Sequence, residues 1–477
     1  MNPVFHIALD EWRYWRRSRL GAAATLVTLV LLVASSVVTY QTVTAERQAR
    51  DQLQDAAQSI FLDQPARHPH RMVHYGHYAF RTPPPLALAD PGVDQFTGAA
   101  VFLEGHRQNS ATFSPAYSGP QGIRFANLSP ATVYQVLVPL LLVVVGFSAF
   151  SRERELRTDQ MLLAAPVGPG QIWLGKTLAL VGLALVLLLP LLLLVLLIGE
   201  DRLAGLVLVA GYAVYLLVWA SITVSVSARS RASSSSLVVL LALWLAVCIV
   251  VPRGASTAAQ ALLPIPSKVE TDLAVADAVR NLGDGHNAGD PAFARLRANL
   301  LAEYGVDRVE DLPVNFRGVV AEASEADLTK VMDDFAERYA GQELAQAQLL
   351  RWASVLSPML ALRAFSTTMA GTDLAHRHQF LREAEAIRYE FVQGLNRAHA
   401  SELTYSDDMQ RSRDAASEKR TRVSPTNWAT ALKEFHLQVN PASERWQRAF
   451  PYLLLLAVFA ALAAGLGLSR RTAKGWA

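Results

Sequence analysis

The chain has 477 residues, 52% of them hydrophobic and 18% charged, with a mean hydropathy of +0.21. That is too apolar for an ordinary soluble protein and too charged for one made only of membrane segments, and the apolar residues are gathered into runs. A formal net charge of +3 gives no ground for nucleic-acid binding, and a lone cysteine, Cys248, excludes an intramolecular disulfide.

Residues 1–20 read as an amphipathic helix. Phe5, Leu9 and Trp12, with Tyr14 or Trp15, recur at helical spacing, while Arg13, Arg16, Arg17 and Arg19 face elsewhere. Aromatics and arginines beside an apolar run suit the membrane interface. Residues 21–43 are long enough to cross a hydrocarbon core of ~30 Å, which needs ~20 apolar residues, and are expected to stay as a span and not to be cleaved. Residues 44–131 form a first external region. A helix is expected to continue over 44–59, and the alternating runs 74–80 and 99–103 read as short strands among prolines and turn residues.

The second and third spans, 132–150 and 177–198, flank a charged segment, 151–176. The fourth, 203–226, follows a tight turn at 199–202, and the fifth is 235–251. Residues 252–448 are a second, larger external region with the composition of soluble helices. The sixth span is 449–469, and residues 470–477 form a basic tail. Six spans place both termini on one side. They also place there Arg152, Arg154, Arg157, Lys176, Arg229, Arg231, Arg470, Arg471 and Lys474, which is the bias of cytoplasmic loops. In the larger region Ser324-x-x-Asp327 reads as the start of a long helix reaching about residue 355, broken at Ser357-Pro358. A second amphipathic helix covers 373–398, with Leu374, Leu381, Ala384, Ile387, Phe391 and Leu395 on or near one face. Residues 402–422 are polar and read as mobile.

The segment 151–176 is the one around which the rest is arranged. Ser151 suits a helix cap, Glu153 and Glu155 suit a first turn, and Leu156, Met161, Leu162 and Leu163 supply apolar contacts. Pro166, Gly168, Pro169 and Gly170 stop the helix. E-x-E, then Thr158, a leucine pair, Pro166 and Gly175-Lys176 at the mouth of a span resemble the ABC-2 type transporter permeases. Many members carry a glycine where this chain has Arg157. The stretch AGTDLAHRHQFLREAEAIRYEF at 370–391 is similar to a segment of a branch with a large periplasmic insertion between the last two spans.

The resemblance implies a mostly α fold: a six-helix transmembrane ABC-2 type permease with two external (periplasmic) insertions, the larger one helical. It implies an interfacial elbow helix at 1–20 and a coupling helix at 151–163, with Glu153, Glu155, Thr158, Asp159 and Leu162 contacting a separate ABC ATP-binding subunit. ATP and Mg belong to that partner, and this chain would hold no cofactor and no catalytic site. It further implies a second permease, identical or paralogous, and a bacterial inner membrane location with both termini cytoplasmic and lipid as surroundings. The expected function is export driven by ATP hydrolysis. The alternative is a mechanotransmitter that moves its external regions against a periplasmic protein partner, since those regions take up more than half of the chain. A third reading is a membrane-anchored external enzyme using histidines.

Gly170–Thr177 satisfies the P-loop expression G-x-x-x-x-G-K-[ST], but Ile172, Trp173 and Leu174 are too bulky for a phosphate cradle and a span follows; Trp173 and Lys176 read better as interface anchors. His68, His70, His74 and His77 are candidates for holding a transition metal, with no Cys, Asp or Glu among them. His376 and His378, two apart, do not share a helix face. The spans carry almost no charge, which argues against proton or ion coupling. Tyr212, Tyr215, Trp219, Ser221 and Thr223 make the fourth span the most polar; they either line a pathway between subunits or pack among spans. Ala457, Ala461 and Gly465 form a small-residue stripe, and Pro139 and Pro190 mark sites for kinks.

Overall fold

The computed structural model of the chain describes residues 2–114, 128–164, 166–280, 282–424 and 439–469, without the side chains of Leu20 and Leu163. The expected basic tail, 470–477, and the Leu163 contact lie outside the described residues. Among the described residues six helices are long and apolar enough to cross a membrane: Gly21–Leu62, Pro130–Glu155, Pro169–Ile198, Arg202–Arg229, Ser233–Leu262 and Ala442–Leu468. They are called the first to sixth spans below.

The first span belongs to one helix, Arg19–Leu62, of 44 residues. At 1.5 Å per residue it is about 66 Å long, roughly twice the hydrocarbon thickness. Its apolar half ends near the residue 43 expected from hydropathy, and its polar half runs on as a rod. The fifth span also outlasts its apolar run. Residues after Val251 were expected in the external region, yet the helix continues to Leu262, because VPRGASTAAQAL contains no residue that stops it once Pro252 has been passed. A π-turn, Ala246–Val250, precedes Pro252, and another, Val133–Leu137, precedes Pro139. A proline clashes with the carbonyl four residues back, and an i→i+5 turn relieves this without breaking the helix. The third span runs unbroken through Pro190.

The fourth span is the hub. It packs against the second, third and sixth spans and against a helix of the larger external region, Pro358–Ala370. That helix is wedged into the bundle: Met359, Leu360, Phe365 and Met369 share the hydrophobic core of the spans. The ring of Phe365 occupies the space that a Cβ on Gly211 of the fourth span would need. Arg445, at the start of the sixth span and 2% exposed, donates to Asp201 in the turn before the fourth span, to the Met369 carbonyl at 2.5 Å and to the Asn440 carbonyl at 3.0 Å. The larger external region is thus joined to the bundle by more than its two chain ends.

In the first external region, β1 (His77–Phe80), β2 (Ala100–Glu104) and β3 (Arg107–Gln108) form an antiparallel sheet in that order, with His77 opposite Leu103 and Phe80 opposite Ala100. His74 and Tyr75, expected in a strand, belong instead to a helix, Pro69–Tyr75. His68 caps it, Pro69 opens it and Gly76, at φ +69°, ends it. The sheet lies on helix Leu374–Glu402, where Ala79, Val101 and Leu103 meet Phe380 and Ala384. Asp373 caps that helix, its side chain accepting from His376 N–H. The long helix starts earlier than its sequence signal: it is Phe316–Ala353, capped by Asn315, and Ser324 lies inside it. Residues 402–422, expected to be mobile, form helices Tyr405–Gln410 and Ala415–Arg420, because Asp408 is buried beneath them by partners 340 and 9 residues away in the chain.

Candidate functional site

The 151–164 segment is two short helices, Ser151–Glu155 and Asp159–Ala164, not the single one expected. Arg157 stands between them at φ +56°, in the left-handed region that favours glycine. Thr158 then closes the corner: its hydroxyl donates to the Glu153 carboxylate at 2.5 Å and its N–H to the Glu153 carbonyl at 2.9 Å.

The two glutamates of the E-x-E motif point into the protein's own joints. Glu153 accepts from Lys176 at 3.3 Å and from Arg152 at 3.1 Å. Lys176 also pairs with Glu11, and Arg152 reaches Glu11 at 3.1 Å while its guanidinium stacks 3.7 Å from the Tyr14 ring centroid. Lys176 and Glu11 side chains are only 3% and 4% exposed. Glu155 accepts from Ser233 N–H and hydroxyl, both at 2.7 Å, and so caps the fifth span with a carboxylate where the helix dipole favours one. Arg154 donates to the carbonyls of Ser227 at 3.3 Å, Ser230 at 2.6 Å and Ala228, at the carboxyl end of the fourth span, where a cation is favoured. The segment is therefore clamped to the amino-terminal helix and to three spans at once.

The amino-terminal helix, Pro3–Arg17, lies along the third span. Trp12 donates its indole N–H to the Ala179 carbonyl at 2.9 Å. It passes close at Gly175, where a Cβ would stand 2.8 Å from the Ile7 side chain and the Val4 carbonyl. This corrects the expectation that Trp173 and Lys176 are interface anchors. Both are buried: Trp173 donates to Ser225 at 3.1 Å, and the overlying helix covers Lys176. Gly170–Thr177 sits wholly in the first turns of helix Pro169–Ile198, so no phosphate loop is formed there. Of the other residues expected to meet an ATPase subunit, Thr158, Asp159 and Leu162 are half-buried. Leu156 and Met161 are 66% and 74% exposed.

Tyr212, Tyr215, Trp219, Ser221 and Thr223 are all buried inside this one chain. They lead to a residue that hydropathy gave no reason to notice, Asp90, which is 5% exposed. Its carboxylate accepts from Ser366 at 2.5 Å, Gly92 N–H at 3.1 Å and Gln135 at 3.4 Å, and Tyr212 bonds both Ser366 and Gln135. Burial pushes the Asp90 carboxyl up. Thr372, in the 370–391 stretch, donates to the Asp90 carbonyl at 2.9 Å. Ala457, Ala461 and Gly465 face away from the chain's own bundle.

The four sequence-adjacent histidines divide among three places. His68 and His399 both meet Asp408, at 3.1 and 2.8 Å, in a buried cluster. His68 Nδ1 accepts from His70 N–H, so its own proton is on Nε2 and is donated to Asp408. Burial pushes His68 down to about 4. Burial alone would raise Asp408, but the hydrogen bonds from His399 and His68 outweigh it and hold the carboxyl well below the usual range. His77 is buried against Gln54 at 3.3 Å, and burial pushes it down to about 4. His70 and His74 lie one turn apart and meet His106, from the β2–β3 turn, and His286, from the larger external region. His376 pairs with Asp373 at 2.6 Å and His378 with Glu343 at 3.1 Å, in different places.

Residues 108–269 match the family described as ABC-2 family transporter protein, and residues 268–438 match a family described as Domain of unknown function (DUF3526). Among the curated proteins no match was found. The first match takes in the second to fifth spans with the clamped segment between them, and the second takes in most of the larger external region with its wedged helix. With six helices among the described residues able to cross a membrane, the protein is a mostly helical, multi-pass membrane protein, and its residues 108–269 are similar to the ABC-2 transporter family.

Proposed function

We propose that the chain is the membrane subunit of an ABC exporter, which works with a separate ATP-hydrolysing subunit and a second permease in the bacterial inner membrane, both termini facing the cytoplasm. The observation that carries this reading is the clamp: one short segment holds the amino-terminal helix and the third, fourth and fifth spans through Glu153, Arg154, Glu155 and Lys176. Force delivered to it reaches most of the bundle. Glu153 and Glu155 then transmit that force, and the docking face is the outward one, Leu156 and Met161 with the half-buried Thr158, Asp159 and Leu162 beside them. The exposed stripe of Ala457, Ala461 and Gly465 suits close approach of another helix.

The test is co-purification of the ATPase subunit with Leu156→Asp and Met161→Asp variants. Loss of the ATPase from a chain that still elutes as a folded species is expected. Full retention of it by the double variant refutes the docking face.

A second reading, mechanotransmission to a periplasmic partner, draws on a different observation. The wedge helix Pro358–Ala370 and the unbroken first helix tie both external regions to the spans. Transport assays in sealed vesicles separate the two: cargo accumulation supports the exporter, and ATP turnover without any cargo movement supports the transmitter.

A further inference from the structure

His70, His74, His106 and His286 each offer a ring nitrogen, and these four atoms all lie within 4.8 Å of one another. Three come from the first external region and one from the second, more than 170 residues later in the chain. His70 and His74 share a helix face at i,i+4, and their Nε2 atoms stand 3.2 Å apart. A tetrahedral ion with metal–nitrogen bonds of ~2.0–2.1 Å separates its ligands by about 3.3 Å, so this pair already has the spacing of one edge.

The other two rings are oriented from behind. His106 Nδ1 is 3.0 Å from Glu325, whose carboxylate also holds the His106 N–H at 3.1 Å and is anchored by the buried Arg388 at 2.6 Å. His106 Nε2 is buried and has no hydrogen-bond partner. His286 Nδ1 is 3.2 Å from Asp284. A carboxylate behind an imidazole fixes its tautomer and frees the opposite nitrogen for a metal. His106 itself stands at φ +65°, in the left-handed region that few non-glycine residues adopt.

We propose that these four imidazoles bind one divalent transition-metal ion of the Zn2+ class, which staples the 282–290 loop to helix Pro69–Tyr75 and so fixes the two external regions together. Four neutral nitrogen donors with no carboxylate or thiolate among them suit Zn2+, Cu2+ or Ni2+, and not the oxygen-seeking Mg2+ and Ca2+ or the sulfur-seeking Cu+. His74 and His286 are exposed, so the ion exchanges with the external medium.

The test uses the full chain in detergent, stripped with chelator and titrated with ZnCl2 by calorimetry and with Co2+ by visible absorption. One ion per chain and the strong visible bands of tetrahedral Co2+ are expected. His74→Ala and His286→Ala should each weaken binding by at least about 100-fold, and Asp284→Asn by about 10-fold, as orienting partners do. Because His74, His286 and Asp284 are exposed, the fold should survive, which size-exclusion profiles check. No binding by the parent chain at stoichiometric Zn2+ overturns the proposal. So does parent-like affinity in both histidine variants, or loss of the ion only in His68→Gln, which would place it at the Asp408 cluster.

Discussion

Replacing Lys176 by Met keeps the length of the side chain and removes its charge. Lys176 is one of two cations holding Glu11 and Glu153, and its side chain and that of Glu11 are 3% and 4% exposed. Removing one partner of a buried pair costs about 3–5 kcal/mol, because the remaining charge is left without compensation. Here Arg152 stays at 3.1 Å from both glutamates, so the lower end applies, about 3 kcal/mol, or roughly 100-fold in the folding equilibrium. The assay is SDS-induced unfolding of the chain, followed by tryptophan fluorescence. Glu11→Gln, made alone and together with Lys176→Met, completes a cycle. Directly bonded groups should show a coupling of about 1 kcal/mol or more. If Lys176→Met lies within about 0.5 kcal/mol of the parent, or if the two changes add without coupling, the clamp between the amino-terminal helix and the 151–164 segment does not exist as described.

Arg157→Gly should stabilise the chain by up to about 1 kcal/mol in the same assay, since glycine adopts φ +56° without the side-chain clash, whereas Arg157→Val should destabilise it. Asp408 contributes stability above its unfolded pKa of about 3.9, because its folded pKa is lower; the contribution is lost as pH falls through the folded value. The groups facing it are His68, His399, Arg317, Arg411 and Asn315. Asp408→Asn should therefore lower stability at pH 7 by about 3 kcal/mol and flatten acid unfolding of the external regions, read by hydrogen exchange. Cys248 is 2% exposed, so Gln160→Cys adds the one reactive thiol among the described residues. A membrane-impermeant maleimide should label it only in inside-out vesicles, and labelling of intact cells would reverse the proposed orientation.

Hydropathy made the six spans legible because each apolar run is long and nearly free of charge. It failed at 252–262, where an alanine-rich continuation is helical without being hydrophobic enough to mark the segment as part of a span. The E-x-E spacing was visible in the sequence, but its direction was not. Whether Glu153 faces a partner or Lys176 depends on a helix that begins 150 residues earlier. The histidines show the same limit more sharply. Proximity in sequence grouped His68 with His77, but only the fold brings His106 and His286 to His70, and those two carry no local pattern at all. Asp90 was invisible for the same reason: its partners Gln135 and Ser366 come from the second span and the wedge helix, and Tyr212 of the fourth span bonds both of them.

The uninterrupted first helix has a mechanical consequence. One end adjoins the helix that carries Glu11, and its polar half reaches Gln54, which donates to the Tyr78 carbonyl of β1 at 3.0 Å and accepts from Phe80 N–H. It is in effect a mast about 66 Å tall, stepped at one face of the bilayer and rigged to the sheet beyond the other. Leaning such a mast by about 10° at its foot swings the masthead by about 11 Å, so a displacement of a few ångströms at the base is magnified on the far side without any hinge in between.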